Sequence, residues 1–293
     1  MRLHLVDGTF ELYRAHFSPR PDRFAADGRD IKATVGVASS MLSLLHEEAE
    51  AVTHLGIFFD NPIRSFRNDL FAPYKSDEGV PPELKAQFDP VEAACRAIGV
   101  PVFSMRDFEA DDGLATAAAR FRDQVEQVRI LTPDKDLGQC LLGRKVVQVD
   151  RIRRTELDEE GLKTRRGVLP ESIPDLLALT GDEADGIPGL PGFGEKTAAL
   201  LLKQFVHLEA IPAMPMKWPK EVRGGLRLSA TLEANRAEAV LYRTLATLRL
   251  DALPAATSLA ELRFQGVPRA AFHAWCDELG VGEMRHRPRR WAD

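Results

Sequence analysis

The stretch that constrains the fold most is residues 180–205, which read TGDEADGIPGLPGFGEKTAALLLKQF. Glycine and proline recur through its centre, where they forbid regular structure and leave the backbone open to close approach. Apolar residues at helical spacing precede it, and Gly181 ends that helix because glycine accepts a positive φ. A second amphipathic run begins near Glu195. The pattern predicts a helix-hairpin-helix with two acids, Asp182 and Asp185, at its entrance.

Within this stretch, GLPGFGEKT nearly matches the phosphate-binding loop G-x-x-x-x-G-K-[ST]. Glu195 breaks the spacing, and such a loop also needs a buried strand before it, so we set the NTPase interpretation aside. A hairpin of this kind instead suits a nucleic-acid backbone phosphate. A tight helical hairpin without a ligand is the alternative. The candidate DNA contacts are Gly189, Gly192, Gly194, Lys196 and Thr197.

Composition limits the class of protein. A chain of 293 residues, 44% of them hydrophobic, can bury a large core and form two subdomains. Neither a membrane span nor a signal peptide is evident, so we expect a cytoplasmic protein without membrane association. Cys95, Cys140 and Cys276 lack metal-ligand spacing and predict buried thiols. The formal net charge of −5 argues weakly against a protein that coats polyanions, although basic residues such as Arg14 cluster locally.

The N-terminal half alternates short apolar runs with helical segments, which predicts an α/β domain with a largely parallel sheet. The strand candidates are 3–6, 54–59, 128–132 and 146–149, and the helix candidates are 33–48, 82–97 and 110–122. Residues 232–248 predict another helix, and 260–279 predict a final pair packed beside the hairpin. We therefore divide the chain into an α/β domain at 1–168 and a helical subdomain at 169–293, with the helix-hairpin-helix at 173–205.

Acidic residues stand at the ends of several of these elements. Because the carboxyl ends of parallel strands open onto one crevice, we expect the acids to converge. Like charges at short range raise one another's pKa, so a converged group requires cations. No His or Cys accompanies them, and an oxygen-only set suits Mg²⁺ or Mn²⁺ rather than zinc. For any single acid, a helix cap or a turn is the alternative. The acids are Asp7, Asp60, Glu109, Asp111, Asp112, Asp134, Asp136, Asp182 and Asp185.

Five segments together resemble the 5′-nuclease family, which comprises the 5′-3′ exonuclease domain of bacterial DNA polymerase I and the flap endonucleases. They are LVDGTFELYRAHF, FFDNPIRSFRNDLFAPYKS, FEADDGLATAA, LTPDKDLGQ and the 180–205 stretch. They occur in the family's order and span residues 3–205. The resemblance implies a PIN-like α/β domain followed by a helix-three-turn-helix DNA-binding element.

The same resemblance implies roles for individual residues. Asp7, Asp60, Glu109, Asp111 and Asp112 would hold one divalent ion, and Asp134, Asp136, Asp182 and Asp185 would complete a second site. The segment 61–82 would form an arch. In it, Lys75 and Arg67 would be catalytic by steering the scissile phosphate, and Arg14 would contact DNA. Tyr74 would either stack on a frayed base or pack in the core. The hairpin would also take K⁺.

Two departures from the family pattern stand out. Asp77 and Glu78 follow Ser76 where relatives carry another basic residue, and Gly186 replaces an asparagine of the family's turn. The chain also stops at Asp293 without a polymerase, so we expect a stand-alone 5′-3′ exonuclease or flap endonuclease. We expect it to be monomeric and to act on DNA by a two-metal mechanism. The alternatives are a catalytically weak protein that binds branched DNA as a structural factor, and a PIN-type ribonuclease.

Overall fold

The computed structural model describes residues 1–292, which fall into two compact units. The first unit contains Met1–Ile63, Asp77–Thr132 and the chain from Leu250 onward. The second contains Arg64–Ser76 and Pro133–Arg249. Each unit has its own buried apolar residues.

Strands and helices alternate along the first half of the chain, and helices dominate the second. The strands are β1 (Arg2–Asp7), β2 (His54–Asp60), β3 (Val102–Met105), β4 (Gln127–Leu131), β5 (Val146–Asp150) and β6 (Thr155–Leu157). The α-helices are α1 (Gly8–His16), α2 (Lys32–His46), α3 (Arg67–Leu70), α4 (Pro82–Lys85), α5 (Phe88–Ala97), α6 (Ala110–Phe121), α7 (Glu159–Arg166), α8 (Ile173–Thr180), α9 (Glu195–Phe205), α10 (Gly225–Ala234), α11 (Arg236–Ala246) and α12 (Arg269–Glu278). Among the described helices, none has the length and apolar character needed to cross a membrane.

The first unit is built on a parallel sheet with the strand order β3-β2-β1-β4. Every residue of β2 is buried, and β1 is buried after its first residue. Such continuous burial is typical of parallel strands covered on both faces. The predicted α/β class with a largely parallel sheet is confirmed, and β3, a short edge strand, is an addition to the predicted set.

The predicted helix 82–97 is two helices, α4 and α5. Pro90 lies in the first turn of α5, and its ring would clash with the carbonyl of Ala86 if one helix ran through both. Gln87 lies at this break, and its buried side chain bonds to the start of α2. Its Oε1 accepts from the backbone N–H of Ala33 at 2.9 Å and of Thr34 at 3.2 Å, at the start of α2.

The C-terminal segment belongs to the first unit and not, as predicted, to the helical subdomain beside the hairpin. Arg120 of α6 donates to the carbonyls of Pro254 at 2.7 Å and Leu253 at 3.0 Å. Phe272 of α12 is fully buried. A single α-helix, α12, and a short 3-10 turn stand where a helix pair was expected. The two compact units therefore do not correspond to the predicted domains 1–168 and 169–293.

The second unit contains the helix-hairpin-helix, formed by α8 and α9 as predicted. Gly181 ends α8 with a φ of +82°. After it, Asp182 and Ile187 exchange two backbone hydrogen bonds of 2.8 Å, and Leu190 donates to the carbonyl of Leu179 at 2.8 Å. These bonds close the hairpin on itself and fix the acids at its entrance.

Candidate metal centres and nucleic-acid interface

The acids of the first unit lie where β1, β2 and α6 end or begin. Asp7 ends β1 and caps α1, because its Oδ1 accepts from the N–H of Phe10 at 2.8 Å. Its Oδ2 accepts from the hydroxyl of Thr132 at 2.9 Å. Asp60 ends β2, and its Oδ1 accepts from the N–H of Ala110, at the start of α6, at 2.7 Å. The strand ends and the helix start are thus joined directly through carboxylates.

Glu109 and Asp112 form a capping box at the N-terminus of α6. The Glu109 carboxylate accepts from the N–H of Asp112, and Asp112 Oδ2 accepts from the N–H of Glu109 at 3.0 Å. Both side chains are buried, whereas Asp111 between them is partly exposed. The capping alternative is therefore realised. It does not prevent ligation of a metal ion, because a carboxylate has about four lone-pair sites on its two oxygens.

The acids of the second unit form a tighter group. One carboxylate oxygen from each of Asp136, Asp182 and Asp185 lies within 4.8 Å of the others. Asp136 and the more exposed Asp134 flank Lys135 at the start of a 3-10 turn, where Asp134 accepts from the N–H of Asp136 at 2.9 Å. Asp182 and Asp185 come from the hairpin entrance. Three of the nine predicted ligands, Asp136, Asp182 and Asp185, thus lie close together.

In this cluster, the carboxylate of Asp136 is buried and lacks a hydrogen-bond partner on one oxygen. Its side chain is only 5% exposed, and its Oδ1 has no hydrogen-bond partner. Burial, reinforced by the charges of Asp134, Asp185 and Asp182, raises the pKa of Asp136 well above its usual value. A buried carboxylate oxygen without a partner, facing other carboxylates, suits a divalent cation with oxygen ligands. The residues present therefore fit a metal ion.

Two lysines neutralise part of this group. Lys135 Nζ lies 2.8 Å from Asp182 Oδ2, and Lys75 Nζ lies 3.5 Å from Asp185 Oδ1. Burial alone would lower the pKa of Lys135, but its hydrogen bond to Asp182 and the neighbouring charges raise it. Sequence reasoning singled out Lys75 but missed Lys135. The sequence signal that could have identified Lys135 is its position between two candidate metal ligands, in PDKDLG.

Two candidates from the predicted arch are buried in the second unit. Arg67 is 1% exposed, and its guanidinium donates to the carbonyls of Leu245 at 2.7 Å and Thr247 at 3.0 Å. It stabilises the C-terminal end of α11, so this geometry opposes the predicted contact with a scissile phosphate. Tyr74 is 3% exposed and belongs to the apolar core of this unit, which favours packing over base stacking.

Arg14, predicted to contact DNA, lies on α1 in the first unit. One guanidinium nitrogen donates to the carboxylate of Glu11, which is buried, and to the hydroxyl of Ser40 at 3.1 Å. The side chain remains about one third exposed. Its charge is therefore largely balanced within the protein.

The hairpin glycines serve different purposes. Gly189 has a φ of +70°, and a Cβ there would lie 2.4 Å from the Gly181 nitrogen, so a side chain is excluded by the fold itself. Gly192 has a φ of +86° and lies under the guanidinium of Arg227. Gly194 is the residue before α9, and a Cβ there would meet nothing within 4 Å. Lys196 is exposed and Thr197 partly so, in the first turn of α9.

Comparison with protein families divides the chain close to the predicted boundary at residue 168, and not at the limits of the two units. The family model for the 5′-3′ exonuclease N-terminal, resolvase-like domain matches residues 2–167, and that for the 5′-3′ exonuclease C-terminal SAM fold matches residues 168–270. The chain belongs to the 5′-3′ exonuclease family. This is the family that the five sequence segments predicted.

The relatives of this chain differ in length. The chain is 37% identical to DNA polymerase I of Pseudomonas aeruginosa over 258 residues, 85% of this chain and 27% of that protein. It is 35% identical over 251 residues to the 5′-3′ exonuclease of Buchnera aphidicola subsp. Baizongia pistaciae, 84% of this chain and 81% of that protein. The chain therefore spans only about a quarter of the polymerase.

A solved structure shares the fold. The flap endonuclease of bacteriophage T5, in a pseudo-enzyme-product complex with DNA and metal ions, superimposes with a TM-score of 0.63 and 21% identity. The match covers 97% of this chain and all of that one. The predicted architecture, a PIN-like α/β domain followed by a helical element, is thereby confirmed.

Proposed function

We propose that this member of the 5′-3′ exonuclease family hydrolyses DNA phosphodiesters at 5′ ends, flaps or nicks in a metal-dependent reaction. The observation that carries the proposal is the group formed by Asp136, Asp182 and Asp185, whose ligand atoms lie within 4.8 Å of one another. The Oδ1 of Asp136, which is buried without a hydrogen-bond partner, supports a cation site at that group. Family membership supplies the reaction class.

Two divalent ions are part of the proposal. Asp134, Asp136, Asp182 and Asp185 would hold one ion, and Asp7, Asp60, Glu109, Asp111 and Asp112 would hold the other. The oxygen-only set favours Mg²⁺ or Mn²⁺. When bound, such ions supply positive charge to the attacking and leaving oxygens of an in-line displacement.

The chain's own residues have separate tasks in this scheme. Lys75 Nζ lies beside Asp185, so it can neutralise that carboxylate before a metal ion binds and contact a substrate phosphate afterwards. The hairpin, with Gly194, Lys196 and Thr197 at the start of α9, would bind a backbone phosphate of the duplex. K⁺ at the hairpin, a monomeric state and a cytoplasmic location belong to this proposal as well.

Related proteins support the substrate and the cofactor. The Buchnera relative is a 5′-3′ exonuclease, and the T5 flap endonuclease forms its complex with DNA and metal ions. The weak-catalyst alternative rested on Asp77 and Glu78. Asp77 pairs with Lys85 at 2.8 Å, so its charge is balanced within the first unit and repels a DNA strand less than the sequence suggested.

The proposal is tested with a set of labelled substrates: a 5′-flap DNA duplex, a nicked duplex, single-stranded DNA and a matched flap with an RNA strand. We expect cleavage of the DNA flap with Mg²⁺ or Mn²⁺, loss of cleavage with EDTA, and weaker cleavage of the RNA flap. Tight binding of the flap without turnover in any of these metals would instead indicate a structural factor. Cleavage confined to RNA would indicate a PIN-type ribonuclease.

A further inference from the structure

A cavity of about 500 Å³ lies in the first unit, at the edge of the sheet where β1 and β2 begin. Thr53 and His54 form one wall, and His54 is the first residue of β2. Asp60 ends the same strand, so at about 3.3 Å per residue it lies roughly 20 Å away along the strand. The cavity is therefore separate from the acids of this unit, and its volume is typical of a small-molecule site.

The opposite wall of the cavity comes from the C-terminal segment, which backbone pairing holds in place. Arg263 forms an antiparallel bridge with His54. The carbonyl of Arg290 accepts from the N–H of Val267 at 2.9 Å. Both arginines line the cavity. Their guanidinium groups are thus carried by backbone that the fold fixes.

The cavity combines these two guanidinium groups with an apolar lining. Within residues 1–292, neither Arg263 nor Arg290 forms an ion pair with a carboxylate, and no Asp or Glu lines the cavity. The nearby Glu261 is engaged in a capping box with Ser258. The apolar lining includes Val52, Leu259, Ala260 and Phe264. The cavity therefore suits a ligand with an anionic group and an apolar body.

His54 adds a hydrogen-bond acceptor to this cavity. Its Nδ1 lies 3.0 Å from the hydroxyl oxygen of Thr53. That hydroxyl donates its proton to the carbonyl of Arg2 at 2.7 Å, so it can only accept from His54 Nδ1–H. Burial, together with the charge of Arg263, lowers the pKa of His54 and favours the neutral ring near pH 7. Nε2 then carries a lone pair, and no hydrogen bond from residues 1–292 engages it.

We propose that this cavity binds a nucleoside monophosphate. The guanidinium groups of Arg263 and Arg290 match the phosphate, the apolar lining suits the base, and His54 Nε2 accepts from an exocyclic amine. Inorganic phosphate would leave the apolar lining unused, and an apolar carboxylate would leave His54 without a donor. The inference rests on the proposed function in one respect: hydrolysis at 5′ ends would release nucleotides of this class.

Calorimetric titration of the full-length protein with 2′-deoxyadenosine 5′-monophosphate (dAMP) measures binding. The titration is made in EDTA, so that no metal ion draws the phosphate to the acids. We expect one site with a Kd below about 1 mM. Deoxyadenosine and inorganic phosphate should each bind at least about tenfold more weakly than dAMP. The purine deoxyriboside monophosphate, which lacks the exocyclic amine, should bind about three- to tenfold more weakly.

Three variants connect the binding to this cavity. Arg263→Gln and Arg290→Gln should each weaken dAMP binding by about tenfold or more, because each removes a charge-assisted hydrogen bond to the phosphate. Ala260→Phe, at an exposed position of the lining, should block the cavity without changing its charge. Arg29→Gln is the matched control, since it removes the same charge from an exposed arginine of the first unit that pairs with Asp27 at 2.7 Å.

The inference is overturned if the wild type fails to bind dAMP at 1 mM, or if phosphate alone binds as tightly as dAMP (about 1 mM marks weak small-ligand binding). Equal dAMP affinity in the wild type and the three cavity variants would also overturn it. If an arginine variant unfolds, wild-type affinity in Ala260→Phe is sufficient to do so.

The same experiments separate this inference from the proposed function. Cleavage of the DNA flap by a wild type that does not bind dAMP would leave the proposed function standing and refute this site. Binding of dAMP that the cavity variants lose, in a wild type that cleaves no substrate, would support the site and contradict the nuclease proposal.

Discussion

The acids of the two units hold their charges in different ways. In the first unit, Asp7, Asp60 and Asp112 accept hydrogen bonds from backbone N–H groups at 2.8, 2.7 and 3.0 Å. In the second unit, Asp134 and Asp182 also accept from backbone N–H groups, at 2.9 and 3.1 Å, and Asp182 pairs with Lys135. Asp136, however, buries a carboxylate oxygen that has no hydrogen-bond partner. The carboxylates of the first group are therefore bonded to the N-termini of helices. In the second group, the buried Asp136 carboxylate lies close to other carboxylates, and one of its oxygens has no hydrogen-bond partner.

This difference has a consequence for stability and function. Backbone caps stabilise the ionised carboxylates without a metal ion, so removing those charges should weaken the fold. A crowded, buried carboxylate destabilises the metal-free protein when it ionises. The same chemical change, loss of one acidic charge, should thus act in opposite directions in the two units.

The largest effects should be on catalysis. Asp111→Asn in the first unit and Asp182→Asn in the second should each lower the single-turnover rate on a flap substrate by at least about a hundredfold, because both ions contribute charge to the transition state. DNA binding should be largely retained, since it depends on phosphate contacts. If one variant keeps the wild-type rate, the catalytic metal belongs to the other group alone.

Substitutions of Lys75 and Arg67 should have the next largest effects, and the two effects should differ in kind. Lys75→Ala should slow cleavage on the order of a hundredfold if its ammonium contacts the scissile phosphate. Arg67→Ala should instead lower the free energy of unfolding by roughly 3 kcal/mol, because two backbone carbonyls lose a buried charged donor. Chemical denaturation and single-turnover kinetics on both variants distinguish the roles. A stable Arg67→Ala protein with a hundredfold slower rate would return Arg67 to the catalytic set.

Effects on stability should be smaller, and they should have opposite signs for Asp112 in the first unit and Asp136 in the second. Asp112→Ala should cost about 1 kcal/mol, as loss of a cap does. Burial raises the pKa of Asp136 in the folded protein, so its favourable contribution is present below the unfolded pKa and is lost as pH rises through the folded value. Asp136→Asn should therefore raise the Tm of the metal-free protein at neutral pH by a few degrees, roughly 2–4 °C per kcal/mol. A lower Tm at neutral pH would show that the ionised Asp136 does not destabilise the metal-free protein.

The smallest expected effect concerns Lys135. Lys135→Met removes a cation that competes with the metal for Asp182, so metal affinity should rise by roughly two- to tenfold. Calorimetric titration with Mn²⁺ measures this directly. Unchanged affinity would show that Lys135 stays on Asp182 when the metal binds.

Local sequence signals predicted the hairpin well. Gly181 and the glycine-proline spacing fix where α8 ends, and Glu195 does begin α9. The sequence also predicted that Asp7 and Asp60 lie at the same edge of the sheet. Continuously apolar strands are typical of parallel sheets, and the carboxyl ends of the parallel strands β1 and β2 do lie side by side.

Long-range packing explains what sequence reasoning could not supply. Arg67 lies in a polar, irregular segment typical of an exposed loop, yet its partners are carbonyls 178 and 180 positions away. The position of residues beyond Leu250 depends in the same way on contacts with α6. The packing of the Arg227 guanidinium on Gly192 likewise depends on the fold and not on a local sequence pattern.

The most direct test of the account is whether metal binding removes a proton from Asp136. Titration calorimetry of Mn²⁺ into metal-free protein, in buffers of different ionisation enthalpy between about pH 5 and 8, measures both affinity and proton release. We predict proton release by the wild type, affinity that rises with pH, and loss of both in Asp136→Asn. Wild-type affinity in Asp136→Asn, with no proton released by either protein, would contradict the assignment of Asp136, Asp182 and Asp185 as a metal site.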